Sequence, residues 1–269
     1  MLTCHNRREK TLRCLSKLHE AKLEKSLYRL SVFLVDDGST DGTGEEVSKR
    51  YPETIVIKGD GSLYWNRGMH TAWRAAAAAD DFDFYLWLND DTYIYPSAVS
   101  LLLSESAVKQ HQAVLVGATQ SAVDQRLTYG GFLASGEIVA PNGAIQQVAT
   151  FNGNLVLVPK SVYQRVGNLD PVYHHAIGDI DYGLRAKRQG VECYIASAFT
   201  GTCEGHALPK WCLKEVPFFQ RLQSLYSPLG NSHPYYFFYF ERKNYGWATA
   251  VKHLFSIHLR VLFPALWKN

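Results

Sequence analysis

Two pairs of adjacent carboxylates are the residues of this chain whose types and spacing best support chemistry. Asp36 and Asp37 follow one apolar stretch that is typical of a buried strand, and Asp90 and Asp91 follow another. Open α/β sheets bind ligands at the carboxyl ends of their strands, where carboxylates suit a divalent cation shared with substrate phosphates. The second pair alone could instead form a turn in which Asp90 or Asp91 caps the following helix. Together they predict a negative site that a cation or hydrogen-bond donors must compensate.

The segments that position these acids alternate between strand-like and helix-like patterns. The predicted strands are 30–35, 54–57, 83–89, 113–118, 151–158 and 191–196, and the predicted helices are 11–27, 65–79, 96–109 and 177–189. This alternation predicts an α/β fold with a mostly parallel central sheet flanked by helices. The polar, glycine-rich segment 120–150 differs, with strand-like pieces at 127–129 and 137–140.

Composition bounds the class of protein. The chain has 269 residues, 46% of them hydrophobic, which is enough to bury a full core. We expect one α/β domain over 1–212 and a helical extension over 213–269. The net charge of +3 argues against nucleic acid as a partner, and five cysteines without CxxC spacing favour a reducing compartment. The sequence shows no signal peptide and no spanning helix, so we expect a cytoplasmic protein that could attach to the inner face of the membrane.

The motifs of the chain, taken in order, resemble those of the family 2 glycosyltransferases, whose nucleotide-sugar-binding fold is called GT-A. The resemblance covers about the first 206 residues and is nearest to bacterial enzymes of capsule and O-antigen synthesis, including rhamnosyltransferase-like members. The matching motifs are Thr3–Arg7, Val35–Thr43, Trp65–Met69, Asn89–Asp91 and Gly178–Arg185.

The resemblance implies a nucleoside-diphosphate sugar, a UDP- or dTDP-sugar, as the donor. Asp37 would accept a hydrogen bond from the base, and Thr3 and Arg7 would flank the base and the phosphates. Asp90 would face the ribose. Gly68, near a predicted helix start, would let the diphosphate approach backbone N–H groups, unless it is a simple packing contact. The expected nucleotide-binding residues are Thr3, Asn6, Arg7, Asp36, Asp37, Gly68 and Asp90.

A divalent cation, Mn²⁺ or Mg²⁺, is also implied, because charge develops on the leaving diphosphate. The resemblance places Asp91 on the metal. The family's usual Asp-x-Asp is here Asn89-x-Asp91, so we expect the cation to arrive with the nucleotide. His206 is a second candidate ligand whose imidazole would favour manganese, although a loop histidine is often just polar surface.

For the chemical step, the resemblance assigns Asp179 as the general base of an inverting single displacement. Asp181 would bind the acceptor or orient the loop. Both acids open a predicted helix, where capping is the ordinary role, and Gly178 stands where the family often has Glu. Trp65 and Trp211 are expected as platforms for acceptor sugar rings, with core packing as the alternative.

These expectations describe a metal-dependent enzyme that transfers sugar to a glycan or lipid-linked glycan in cell-surface polysaccharide synthesis. A sugar-phosphate nucleotidyltransferase shares the general fold, but between Cys4 and Lys10 there is no glycine-rich, lysine-containing loop. A non-catalytic nucleotide-sugar-binding subunit is the other alternative, since the first strand is short and Asn89 and Gly178 depart from the family pattern.

The C-terminal extension carries a second signal. An aromatic run at 234–240 precedes a stretch at 252–267 that mixes apolar residues with Lys252 and Arg260. Such basic, apolar stretches can lie in a membrane interface, which would suit a lipid-linked acceptor. The alternative is a helix packed on the catalytic domain or in a homodimer.

Overall fold

The computed structural model describes residues 1–24 and 26–266, and its strands form three hydrogen-bonded groups. The strands are β1 (Leu2–Cys4), β2 (Phe33–Asp36), β3 (Ile55–Lys58), β4 (Phe84–Leu88), β5 (Tyr93–Ile94), β6 (Val114–Gln120), β7 (Leu127–Tyr129), β8 (Gly131–Phe132), β9 (Gln146–Val148), β10 (Thr150–Phe151), β11 (Leu155–Pro159) and β12 (Cys193–Thr202). The helices are α1 (Arg8–His19), α2 (Thr43–Arg50), α3 (Tyr64–Ala79), α4 (Ala98–Val108), α5 (Lys160–Val166), α6 (Gly178–Arg188), α7 (Phe218–Leu225), α8 (Pro234–Tyr245) and α9 (Trp247–Leu262).

The first three strands form a parallel sheet in the order β1-β2-β3, with Cys4 opposite Asp36. The terminal amine of Met1 donates to the carbonyl O of Leu86 at 2.7 Å, and the N–H of Leu88 donates to the carbonyl O of Met1 at 3.1 Å. These bonds join β1 to β4 of the larger sheet. The pair at the end of β2 and the pair after β4 therefore both lie at the carboxyl edge shared by these strands.

The larger sheet is mixed, in the order β4-β11-β6-β12-β5. Strand β12 runs parallel to β6, whereas β11 runs antiparallel to both β4 and β6. An antiparallel neighbour starts at the edge where the preceding strand ends, so the chain needs no crossover helix between β6 and β11. The α/β fold class is confirmed, with a mixed sheet flanked by helices. The segment between β6 and β11 supplies β7, which pairs with the end of β6, and β9, which pairs with the start of β12.

Alternating side chains divide the core into two apolar layers. In β6, Val114 and Val116 join the layer that contains Trp73 and Trp87, whereas Leu115 joins the layer on the opposite face. Each of these large side chains is fully buried, and such burial contributes roughly 1.5–3 kcal/mol per side chain. Hydrophobic packing on both faces thus holds the helices and leaves the strand ends to carry polar groups.

Helix α1 is shorter than its leucine spacing predicts. We expected it to reach Leu27, but it ends at His19, and Leu27 is 69% exposed. Beyond the helix, the N–H of Lys22 donates to the carbonyl O of Pro96 at 2.7 Å. This long-range bond replaces a helical one, so tertiary contact overrides the local periodicity.

The helical prediction for the C-terminal part is confirmed by α7, α8 and α9, whereas the domain boundary at 212/213 stays a prediction. Trp211, which lies just before this boundary, shares a small core with residues of α7 and α9, namely Leu225, Ile257 and Val261. Within residues 1–24 and 26–266, no helix combines the length and the apolarity needed to cross a bilayer. Trp267 and Lys268, which belong to the predicted basic and apolar stretch, lie outside the described residues.

A buried carboxylate joins the C-terminal helices to the α/β domain. Asp181 in α6 has no exposed surface, and its Oδ2 accepts from Arg185 Nε at 3.0 Å. The same oxygen accepts from Lys243 Nζ at 2.9 Å, and Oδ1 accepts from Asn244 Nδ2 at 3.3 Å. Lys243 also pairs with Asp170 at 2.8 Å. Because Lys243 and Asn244 belong to α8, this network fastens α8 to α6 and to the loop before it.

We expect Lys243→Met to lower the free energy of unfolding by roughly 2–3 kcal/mol, because the change leaves a buried carboxylate with less compensation. Urea unfolding followed by circular dichroism measures this change. The control is Lys214→Met, at an exposed lysine that lies 4.0 Å from Glu215. Equal stability of the two variants would contradict the role assigned to the network.

Candidate active site

One arginine compensates the acid pair that follows β4. Arg7 Nη1 lies 2.9 Å from Asp90 Oδ1, and Arg7 Nη2 contacts Asp91 Oδ2. Asp90 Oδ2 also accepts from the Thr11 hydroxyl at 3.3 Å. The predicted negative site is therefore present, and in the protein alone a guanidinium offsets its charge.

The two acids of this pair differ in their environment. Burial raises the pKa of Asp90 to about 7, although the charge of Arg7 acts in the opposite direction. The Asp90 side chain is only 4% exposed, which leaves it little surface for the expected ribose contact. Asp91 is 15% exposed, and its Oδ1 faces Cys203 Sγ at 3.8 Å. Asp91 is thus the more accessible carboxylate.

The first acid pair organises the neighbouring loops. Asp37 Oδ1 accepts from the N–H of Gly61, and Oδ2 accepts from the N–H groups of Leu63 and Tyr64, each at 2.9 Å. Three backbone donors therefore fix the carboxylate of Asp37 against the start of α3. They leave about one of its roughly four acceptor positions unfilled. Asp37 is also only 3% exposed, so the expected contact with the base has as little surface as the expected ribose contact of Asp90.

Asp36 and Asn6 hold the turn that follows β2. Asp36 Oδ1 accepts from the N–H of Ser39 at 3.0 Å, and Asn6 Oδ1 accepts from the N–H of Thr40 at 2.7 Å. Asn6 lies in the left-handed region with φ of 50°, and its side chain is exposed. These contacts place Asn6 beside the predicted nucleotide-binding turn.

Thr3 and Gly68 contact each other, and the role expected of Gly68 is wrong. Gly68 is the fifth residue of α3, so its N–H lies inside the helix and not at its start. A Cβ at Gly68 would lie 2.2 Å from Thr3 Oγ1, and Thr3 is 8% exposed. The glycine is needed for the close approach of α3 to β1, which was the alternative interpretation.

Trp65 connects the second acid motif with the candidate base. Its indole N–H donates to Asn89 Oδ1 at 2.6 Å. A Cβ at Gly153 would lie 2.5 Å from the far edge of the Trp65 ring and 3.4 Å from Cβ of Asp179. The half-buried indole thus spans from the end of β4 to the loop that faces Asp179, which fits its expected place at the acceptor site.

Backbone donors orient Asp179. Its Oδ2 accepts from the N–H of Gly153 at 2.8 Å, and its Oδ1 accepts from the N–H of Ile180 at 2.9 Å. Burial raises the pKa of Asp179 above its ordinary value. A carboxylate held in this way at a helix start can accept a proton, and a raised pKa makes it a stronger base.

Gly178, which stands where the family often has Glu, is required by packing. A Cβ at this position would lie 1.8 Å from Asn66 Oδ1. Asn66 Nδ2 donates to the carbonyl O atoms of Asp170 and Tyr173, both at 2.8 Å. The amide of Asn66 therefore occupies the space of a side chain at 178 and holds the loop that leads into α6.

Two expected acceptor contacts are corrected by burial. Asp181 is fully buried in the network with Lys243, so it cannot touch an acceptor and instead orients the loop. Trp211 is 2% exposed and packs among the C-terminal helices, with its indole N–H donating to Asn231 Oδ1 at 3.3 Å. Both residues hold structure, which was the alternative in each case.

His206 lies in an exposed loop beside Tyr129, whose hydroxyl accepts from the His206 backbone N–H at 3.1 Å. His175, which the sequence reasoning missed, interacts electrostatically with both His206 and Arg7. Burial lowers the pKa of His175 to about 4, so its imidazole is neutral near pH 7. The position of His175, four residues before Asp179, was the signal that could have identified it.

The candidate metal ligands fit a cation shared with a nucleotide. Among the residues that the structure describes, no group of three or more His, Cys, Asp or Glu side chains is placed to hold a metal. The amide oxygen Oδ1 of Asn89 already accepts a hydrogen bond from Trp65. Asp91 is therefore the side chain of this motif that is accessible to a metal ion. Mg²⁺ is commonly held by one or two carboxylates together with substrate phosphates, and this arrangement matches that mode.

The fold and the two acid sites define a protein of the GT-A class. The crystal structure of S. aureus TarS is 14% identical, with a TM-score of 0.56, and the match covers 91% of this chain and 43% of that chain. The structure of TarS 1–349 is 13% identical, with the same TM-score and coverages of 97% and 80%. GalNAc-T7 with UDP, GalNAc and Mn²⁺ is 11% identical, with a TM-score of 0.56 and coverages of 83% and 46%. The chain thus spans less than half the length of TarS and of GalNAc-T7.

The sequence model of glycosyl transferase family 2 matches residues 1–160, which is more than half of the 269 residues. The chain belongs to glycosyl transferase family 2, and this membership supports an enzyme that transfers sugars. No curated protein matches the chain in sequence. The family match includes both acid pairs and Trp65 and ends before Asp179.

We expect Gly153→Ala to lower the rate of sugar transfer at least about tenfold, because small displacements of positioning groups are costly in catalysis. The added methyl group would push Trp65 away from Asn89 and shift the N–H that holds Asp179. The rate is measured as nucleoside diphosphate released from UDP- and dTDP-sugars. Gly205→Ala is the control, since the nearest atom to its Cβ is 3.9 Å away. Equal rates in both variants would contradict the positioning role of Gly153.

Proposed function

We propose that the protein is an inverting glycosyltransferase that moves a sugar from a UDP- or dTDP-sugar to a glycan or lipid-linked glycan. We place this reaction in the cytoplasm, in the synthesis of cell-surface polysaccharide. The contacts of Trp65 carry the proposal. Its indole N–H is bonded to Asn89 beside the acid pair, and its ring covers Gly153, whose N–H holds Asp179. The candidate donor site and the candidate base therefore adjoin the same side chain.

On the donor side, Arg7 is the cation proposed to meet the diphosphate. Its guanidinium already lies at the acid pair, and Arg binds phosphate through two parallel hydrogen bonds. Asp37 is proposed to accept from the N–H of uracil or thymine with the acceptor position that its loop leaves. Asn6 and Asp36 support this site through the turn after β2.

Asp91 is the proposed protein ligand of a divalent cation, Mn²⁺ or Mg²⁺, and His206, in the exposed loop after β12, is the proposed second ligand. Such a cation, when bound, neutralises charge on the leaving diphosphate. The remaining contacts of Asp91 fit this role, since one oxygen faces Arg7 and the other faces the un-ionised thiol of Cys203. Burial raises the pKa of that thiol to about 12.

On the acceptor side, Asp179 is the proposed general base. It takes the proton of the acceptor hydroxyl as that oxygen forms a bond to the anomeric carbon. The bond from the anomeric carbon to the diphosphate oxygen breaks, and its electron pair leaves with the nucleoside diphosphate. Attack from the face opposite the leaving group inverts the anomeric centre. The half-buried Trp65 is proposed to contact the acceptor sugar beside Asp179.

We expect Asp179→Asn to reduce transfer by about 10²–10⁴-fold, the contribution typical of a general base, while leaving nucleotide binding nearly unchanged. Transfer is followed by diphosphate release, and binding by calorimetric titration with the diphosphate. Asp83→Asn, at an exposed aspartate outside the site, is the matched control. Transfer by Asp179→Asn at the wild-type rate would refute this assignment.

We expect UDP or dTDP to raise the melting temperature in the presence of manganese, because a ligand that binds the folded state stabilises it by about 2.7 kcal/mol at 100 times its Kd. The comparison uses UDP, dTDP and GDP, each with and without the metal. Asp91→Asn should lose the part of the shift that depends on manganese. If none of the three diphosphates stabilises the wild type, the donor proposed here is wrong.

A further inference from the structure

Helix α9 uses one of its faces to pack on the protein. Ala250, Ile257 and Val261 are buried, and the last two share a core with Trp211 and Leu225. These positions lie on one side of the helix, because they are separated by seven and four residues. This side accounts for the attachment of α9 to its neighbours.

A second apolar stripe covers a different face of the same helix and is exposed. Its large apolar residues recur every four positions: Trp247 at 62% exposure, Val251 at 41%, Phe255 at 72% and Leu259 at 48%. Leu262 and Phe263, at the end of the helix, are also more than half exposed. Soluble helices place polar residues on the outer face, so a continuous exposed stripe of large apolar side chains marks an interaction surface.

The charged residues beside this stripe are basic. After Glu241 the sequence contains no Asp or Glu. Cζ of Arg242 lies 5.1 Å from the centroid of the Trp247 ring, at the start of the stripe. Lys252 is exposed and lies one position after Val251 of the stripe. Glu241 itself is buried, with an oxygen 3.1 Å from Nδ1 of His253. The surface around the stripe is thus complementary to an anionic layer.

We propose that the outer stripe of α9 docks on a membrane surface that contains anionic lipids, with α9 lying in the plane of the interface. Apolar side chains on one face and lysine beside them are the features of interfacial helices. A second copy of the chain is a poorer occupant, because a two-fold interface would place the same cationic residues opposite each other. The proposal does not depend on the catalytic roles given above, and its test needs no activity.

The test is co-sedimentation of the full chain with vesicles of phosphatidylcholine, alone or mixed with phosphatidylglycerol. We expect the wild type to bind the mixed vesicles. Phe255→Ser combined with Leu259→Ser should weaken this binding at least about tenfold, because each substitution removes a large apolar area from the stripe. The control is Val108→Ser combined with Val123→Ser, at exposed apolar residues outside α9, which should bind like the wild type. Unchanged melting temperatures verify that both variants fold.

The charge contribution is tested separately by Lys252→Glu, which should reduce binding to the mixed vesicles and leave binding to phosphatidylcholine alone unchanged. Two results would overturn the proposal. One is equal binding of the wild type and the α9 double variant. The other is a change in oligomeric state of the double variant, measured by analytical ultracentrifugation, with no change in vesicle binding, which would assign the stripe to an interface between copies.

Discussion

The guanidinium held between two adjacent carboxylates is the interaction on which the site depends. Strand β4 brings Asp90 and Asp91 to the sheet edge, where two neighbouring acids, one of them buried, would be costly without a cation. Arg7 follows β1, so it can reach them only if β1 lies beside β4, and backbone hydrogen bonds from Met1 to β4 secure that arrangement. The order of the strands, the charge balance and the accessible oxygen of Asp91 are therefore consequences of the same packing.

A second buried acid extends this logic to the C-terminal helices. Asp181 needs the cations of Arg185 and Lys243, and Lys243 is supplied by α8. The same lysine and Tyr239 of α8 bond to Asp170, which opens the loop before α6, and Asn66 holds two carbonyl groups of that loop from the other side. The C-terminal helices thus help to fix the segment that leads into Asp179, so the site extends beyond the part that the family model matches.

Strong local patterns in the sequence predicted many of the helices and strands. They did not predict which distant segments of the chain come into contact. The alanine-rich helix predicted over 65–79 is found at Tyr64–Ala79, and both acid pairs lie at strand ends. The antiparallel entry of β11, the burial of Asp181 and the contact of Gly153 with Trp65 each depend on which segments become neighbours. Residue type and periodicity indicate which face of a segment packs on the core. They do not indicate which distant residue forms a hydrogen bond or ion pair with a polar side chain.

The two departures from the family pattern are each matched by another residue of the chain. Asn89 stands where the family usually has an aspartate, next to Asp90 and Asp91, which both pair with Arg7. Its Oδ1 accepts a hydrogen bond from the indole N–H of Trp65. At the position where the family often has Glu, the amide of Asn66 occupies the space where a side chain at Gly178 would lie. Both paired contacts lie beside Asp179, whose half-buried carboxylate is oriented by the N–H groups of Gly153 and Ile180. The matched pairs therefore favour the catalytic interpretation over a binding subunit.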